Sequence, residues 1–181
     1  MWAVTDTSQT AIVIYAGPGV GENIVGDSAC HVLAGCVASG SGGNDYLDLG
    51  TDGGGFVVGD NNNDTGSEVG AGNDVIIGGS ADEFLIGDNS PGVGFAASGA
   101  GNDVIYVYGG NDAIFGNSSA DGVTTLGPDG GNDTLSGGTG DDPLRAGPGN
   151  DALDGGPNTD DCDGEAGIDS AANCEATAGI P

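Results

Sequence analysis

An acid set behind glycines recurs along the chain at a fixed interval. Asp133 (GGNDTL), Asp142 (GDDPL), Asp151 (PGNDAL), Asp160 (NTDDC) and Asp169 (GIDSA) follow one another at steps of nine residues, as do Asp103 (AGNDVI), Asp112 (GGNDAI) and Asp121 (SADGV). The step from Asp121 to Asp133 is twelve, a nine with three residues inserted. The same phrase marks Asp45 (GGNDYL), Asp74 (AGNDVI) and Glu83 (SADEFL). Gly55 and Asp64 divide the stretch from Asp45 to Asp74 into steps of ten, nine and ten, and one degenerate unit falls near Val93. The count is about fourteen units. Rows of carboxylates suit either proton transfer or cation binding. A catalytic acid needs a carboxyl in an apolar pocket, and a chain with 5% aromatic residues has little bulk to build one. Clustered oxygens instead favour a hard cation such as Ca2+, with turn carbonyls completing its shell of six to eight ligands.

Charge balance points the same way. Asp and Glu number 28 against a single Lys or Arg, a net charge of -27. No basic face exists for nucleic acid, and an anionic membrane surface repels the chain. No 18-residue apolar run is present, so no membrane span is expected. Arg145, the one basic side chain of that count, cannot neutralise the acids. Two carboxylates about 5 Å apart repel by roughly 3 kcal/mol at an effective dielectric of 20, and a divalent cation between them reverses the sign.

Several local phrases suggest other chemistry and fail on spacing. DNNNDTGSEVGA begins like an EF-hand with Asp60, Asn62 and Asp64, but Thr65 stands in place of the Gly and Ala71 in place of the bidentate Glu. GPGVGENIVG has Glu22 where a dinucleotide loop needs its last Gly. CHVLAGC offers His31, the one His, without a C-x-x-C spacing, which argues against zinc. With one His, no Ser-His-Asp or Cys-His arrangement can be drawn. The flat Thr/Asn array that ice binding needs is absent: the third positions of the units carry one Thr and two Pro.

The elements that position the acids follow from the same interval. Each unit has a six-residue turn and three residues that can form a short strand. Glycine suits a turn whose backbone needs positive φ. The eighth position is apolar: Leu47, Val57, Ile76, Leu85, Ile105, Ile114, Val123, Leu135, Leu144 and Leu153. One side chain in three therefore points inward. Residues 1–39, with TAIVIYAG, are expected to form an N-terminal β cap, 40–173 the repeat body, and 174–181 a C-terminal cap or tail. An even cysteine count in an acidic, glycine-rich chain suggests disulfides and an oxidising compartment. The local pairing, Cys30 with Cys36 and Cys162 with Cys174, is favoured, and the second would close the open end of a stack. The opening MWAVTDTSQTAIVIYAG lacks a basic n-region and an A-x-A site, so it does not read as a signal peptide; any such leader is expected to have been removed.

The phrase resembles the Gly-Gly-x-Gly-x-Asp-x-U-x nonapeptide of the RTX, hemolysin-type calcium-binding family, over roughly residues 40–173 and most closely at 128–163. The resemblance implies an all-β parallel β-roll, a right-handed solenoid of nine-residue units, two per 18-residue coil, with several Ca2+ ions. The expected metal-binding carboxylates are Asp45, Asp64, Asp74, Glu83, Asp103, Asp112, Asp121, Asp133, Asp142, Asp151, Asp160 and Asp169. The expected carbonyl donors are Gly43, Gly72, Gly101, Gly110, Gly131, Gly138, Gly140, Gly147 and Gly149. With two units per coil, alternate units share an edge. One edge would carry Asp45, Asp64, Glu83, Asp103, Asp121, Asp142 and Asp160, and the other Gly55, Asp74, Val93, Asp112, Asp133, Asp151 and Asp169. Asp142 would then lie between Asp121 and Asp160, and Asp151 between Asp133 and Asp169. The leading functional expectation is a secreted Ca2+-binding module, extracellular or on a particle surface, that folds on its ions and is not an enzyme. The alternative is a structural or adhesive component of a surface layer, fibre or virus-like particle, self-associating through residues 1–39 with the roll as a stiff spacer.

Overall fold

The computed structural model describes residues 13–15, 22–26, 28–30, 42–63, 68–91, 97–119 and 130–181. The strands of the two large sheets are short because Gly, Asn and Asp, poor strand formers, recur between the apolar positions at their centres. The first sheet has seven strands in the order β1 (Val13–Tyr15), β4 (Tyr46–Asp48), β8 (Val75–Ile77), β12 (Val104–Tyr106), β14 (Thr134–Ser136), β16 (Ala152–Asp154) and β18 (Ser170–Ala172). The second also has seven: β2 (Glu22–Val25), β5 (Gly55–Val58), β9 (Phe84–Ile86), β13 (Ala113–Phe115), β15 (Pro143–Arg145), β17 (Asp161–Asp163) and β19 (Ala176–Ala178). Two smaller sheets accompany them: β3 (Ser28–Cys30) with β6 (Asn61–Asn63) and β10 (Ser90–Pro91), and β7 (Glu68–Val69) with β11 (Ala97–Ser98). Every pairing among the described residues is parallel, as in a stacked β-roll.

Register sets the core. In the first sheet Leu47, Ile76, Ile105, Leu135, Leu153 and Ala171 stack in one row. In the second, Val57, Leu85, Ile114, Leu144 and Cys162 do the same. All but the partly buried Ala171 are almost fully shielded from solvent and form one cluster. These are the eighth positions of the repeat, except Val123, which lies outside the described residues. Positions beside them add to the burial. Val58, Ile86 and Phe115 form a second cluster, flanked by Phe56, Phe84 and Ala113. They alternate with the main row along β5, β9 and β13, so they occupy the opposite face of the second sheet. The rings of Phe56 and Phe84, and of Phe84 and Phe115, stack with centroids 5.5 Å apart.

Coil length departs from expectation. The first-sheet strands pair Leu47 with Ile76 and Ile76 with Ile105, steps of 29, and then Ile105 with Leu135, a step of 30. Only the last steps, Leu135 to Leu153 and Leu153 to Ala171, are 18. The nine-residue units therefore run three to a coil from Asp45 to Asp133 and two to a coil afterwards. In the coils from Asp45 to Asp74 and from Asp74 to Asp103 the third unit leads the chain through the small sheets before it returns to the first sheet. The expectation of two units per coil holds only for the C-terminal part.

Both ends of the body join the sheets. β1, β2 and β3 extend three of the sheets by one strand each, and β19 adds to β17, so the second sheet continues past residue 173. Cys162, fully buried, is disulfide-bonded to Cys174. Cys36 lies outside the described residues, as does the Cys30 side chain.

Candidate metal centre

The acids stand where each strand begins. There the turn of one coil lies directly over the turn of the next. On the first edge the backbone N–H groups of Asp45, Asp74, Asp103, Asp133 and Asp151 donate to Oδ1 of Asp74, Asp103, Asp133, Asp151 and Asp169, at 2.7–2.9 Å. On the second edge Glu83, Asp112 and Asp142 donate to Asp112, Asp142 and Asp160, at 2.7–2.9 Å, and Asp160 donates to Glu175 at 2.8 Å. The six-acid ladder from Asp45 to Asp169 and the five-acid ladder from Glu83 to Glu175 replace the two edges expected from sequence. Asp45 and Asp103 share an edge with Asp74, not with Glu83, because three units separate coils in this region. Gly55 occupies the rung before Glu83 and leaves it without a carboxylate. Asp142 lies between Asp112 and Asp160 rather than beside Asp121. Asp151 lies between Asp133 and Asp169 as expected. Asp64, Asp121 and Val93 fall outside the described residues. Glu175 is a rung that no phrase in the sequence announced.

In eight of the rungs one oxygen accepts a backbone N–H and the other accepts nothing. The second carboxylate oxygens of Glu83, Asp103, Asp112, Asp133, Asp142, Asp151, Asp160 and Asp169 are buried and accept no hydrogen bond. They lie against glycines that end the strands. A Cβ on Gly87 would overlap Oδ2 of Asp103, and one on Gly116 would overlap Oδ2 of Asp133 and sit 2.9 Å from the Ala146 carbonyl. On the other edge a Cβ on Gly137 would lie 2.6 Å from Oδ2 of Asp142 and 2.7 Å from the Gly155 carbonyl.

The expected carbonyl donors stack too. The carbonyls of Gly43, Gly72, Gly101, Gly131 and Gly149 each press on the next glycine along the first edge, so closely that a Cβ there would collide. Gly110 faces Gly140 on the second edge, and Gly138 faces Gly156. Gly147 stands against the side chain of Asn117. Outside the first ladder an amide row was not anticipated. Asn73, Asn102, Asn132 and Asn150 donate backbone N–H groups to the side chains of Asn44, Asn73, Asn102 and Asn132, at 2.7–2.8 Å. These exposed amides hold successive turns in register. Their signal was present as the Asn before the acid in GGND and AGND.

Burial makes the ladders electrostatically costly. It raises Glu83 to about 8, with the charge of Asp112 adding to the effect. Burial raises Asp112 and Asp133 to about 7 and Asp142 and Asp151 to about 6, each against backbone hydrogen bonds that pull the other way. Asp103 is pushed well above the usual range by burial and then by Asp88, Asp74 and Asp133, and Asp160 is raised chiefly by burial. Arg145 gives no relief: it pairs with Asp161 at 2.6 Å, outside both ladders. Among the described residues no three His, Cys, Asp or Glu side chains converge on one metal position. Backbone carbonyls must therefore supply much of any coordination. Buried, unpartnered oxygens beside glycine cradles, with an all-oxygen donor set, fit a hard divalent cation.

A parallel β-roll with paired acid ladders defines a calcium-binding repeat protein. The sequence pattern described as the RTX calcium-binding nonapeptide repeat matches four times, at residues 68–90, 92–123, 129–161 and 136–171, more than half of the chain. The chain belongs to this family, and its repeats bind calcium. No curated protein and no solved structure matches the chain.

Proposed function

We propose that the chain is a secreted calcium-binding β-roll module whose folding is driven by structural Ca2+ and which has no catalytic activity of its own. The observation that carries this reading is the double row of buried carboxylate oxygens with no partner. The proposed ligands are Asp45, Asp74, Asp103, Asp133, Asp151 and Asp169 on one edge and Glu83, Asp112, Asp142 and Asp160 on the other, with Asp64 and Asp121 from the third units, and with glycine carbonyls beside them. Bound calcium supplies charge neutralisation and cross-links between coils. The chain's residues orient the oxygens and exclude water. A site that exists only when coils are stacked couples binding to folding. A chain held unfolded at low intracellular calcium and folded at high extracellular calcium suits export, and the Cys162–Cys174 disulfide suits an oxidising destination. Self-association through residues 1–39 belongs to the same proposal. Far-UV circular dichroism at neutral pH tests the core of it: Ca2+ should convert a coil-like spectrum in chelator to a β spectrum. An unchanged folded spectrum in chelator would remove the claim.

A further inference from the structure

A second row of acids lies inside the first ladder, outside the nonapeptide phrase. Asp60, Asp88 and Asn117 each follow the glycine that ends a second-sheet strand, and all three are buried. Asp88 is fully buried. Its Oδ1 accepts the Gly101 N–H at 2.8 Å, and its Oδ2 has no hydrogen-bond partner. The preceding residue, Gly87, is the glycine against which Oδ2 of Asp103 lies, and Oδ2 of Asp103 is also unpartnered. One buried oxygen that accepts no hydrogen bond therefore lies against Gly87, and a second belongs to the residue that follows it. Asp60 holds the same position one coil earlier but differs in its bonding, since both its oxygens accept the Gly72 N–H at 3.1 Å.

Asn117 shows how the position is satisfied without charge. Its Oδ1 faces the Gly131 N–H, as Asp88 faces Gly101, while its Nδ2 donates to the Ala146 carbonyl at 3.0 Å. An aspartate cannot make the second bond. The atom that replaces Nδ2 is an acceptor, and it must meet a cation or carry a proton.

We propose that Asp88 and Asp103 together hold a calcium ion on the inner side of the first ladder, and that Asn117 ends this inner row with an amide. The proposal rests on the calcium-binding reading above and adds ligands to it. The coil from Asp74 to Asp103 then binds calcium with two carboxylates of its own, a device missing from the coil that follows Asn117, where Gly147 takes the place of the amide.

Calcium bound per full-length chain, counted by metal analysis after equilibration in calcium buffers, tests this. Asp88→Asn keeps the acceptor for Gly101 and should bind one ion fewer than the wild type. Asn117→Asp should gain one ion. Unchanged counts in both variants, with the wild type binding calcium, overturn the inner row alone. A wild type that binds no calcium overturns the proposed function as well.

Discussion

Removing calcium should make the fold sensitive to pH in a defined direction. In the metal-free fold Glu83 sits at about 8, Asp112 and Asp133 at about 7, and Asp142 and Asp151 at about 6. Unfolding hydrates these groups and returns them to the ordinary range near 4. The folded chain therefore binds more protons than the unfolded chain between about pH 4 and pH 8, and its stability falls as pH rises. The contribution is fully present below about pH 4 and is lost as pH climbs through 6 to 8. At pH 6 Glu83, Asp112 and Asp133 are mostly protonated in the fold and Asp142 and Asp151 are half so. Folding then takes up about four protons, a slope of about 5 kcal/mol per pH unit. Domain stability is only about 5–15 kcal/mol, so even half that slope unfolds the chain within a few units. The assay is urea unfolding followed by circular dichroism in chelator from about pH 5 to 8, above the isoelectric point of 4.1 where solubility is lost. The midpoint should fall steeply with pH in chelator and stay level or rise in millimolar Ca2+. A chelated chain whose midpoint is level or rises with pH would refute the burial of the ladders.

Three variants probe the scaffold. Leu135→Ala empties a buried position between Ile105 and Leu153 and should cost about 2–5 kcal/mol, read as a lower urea midpoint in Ca2+. Gly131→Ala places a Cβ onto the Gly101 carbonyl. Backbone cannot yield there as a side-chain tip can, so cooperative thermal unfolding should shift down by about 4–8 °C, as about 2 kcal/mol requires in a domain of this size. The double variant Cys162→Ser, Cys174→Ser opens a loop of sequence separation 12 and should lose about 3 kcal/mol, with the reduced wild type behaving alike.

The regular C-terminal part was legible because one interval governs both its strands and its acids. Leu135, Leu144, Leu153 and Cys162 fall inside, and Asp133, Asp151 and Asp169 share an edge, as the nine-residue count requires. Farther upstream the units were legible but their number per coil was not. A nonapeptide fixes a turn and a strand; it does not fix how many strands close a coil. The longer repeat was nonetheless written in the chain: Gly-Asn-Asp ends at Asp45, Asp74, Asp103 and Asp133, and Gly-Asp recurs at Asp60 and Asp88. Reading those phrases as one 29-residue period places Asp45 over Asp74 and exposes the inner row. Burial of Val58, Ile86 and Phe115 was not legible, since it depends on what covers the far face of the second sheet. Glu175 was hidden for a different reason: the last step, Asp160 to Glu175, is fifteen residues and uses a longer side chain.

Calcium-loaded crystals, measured at a long wavelength where calcium scatters anomalously, test the central claim most directly. Two rows of ions are expected along the roll, one beside the ladder from Asp45 to Asp169 and one beside the ladder from Glu83 to Asp160, each ion touching second carboxylate oxygens of the rungs. Ions confined to exposed acids, with the ladder oxygens still unpartnered, would contradict it.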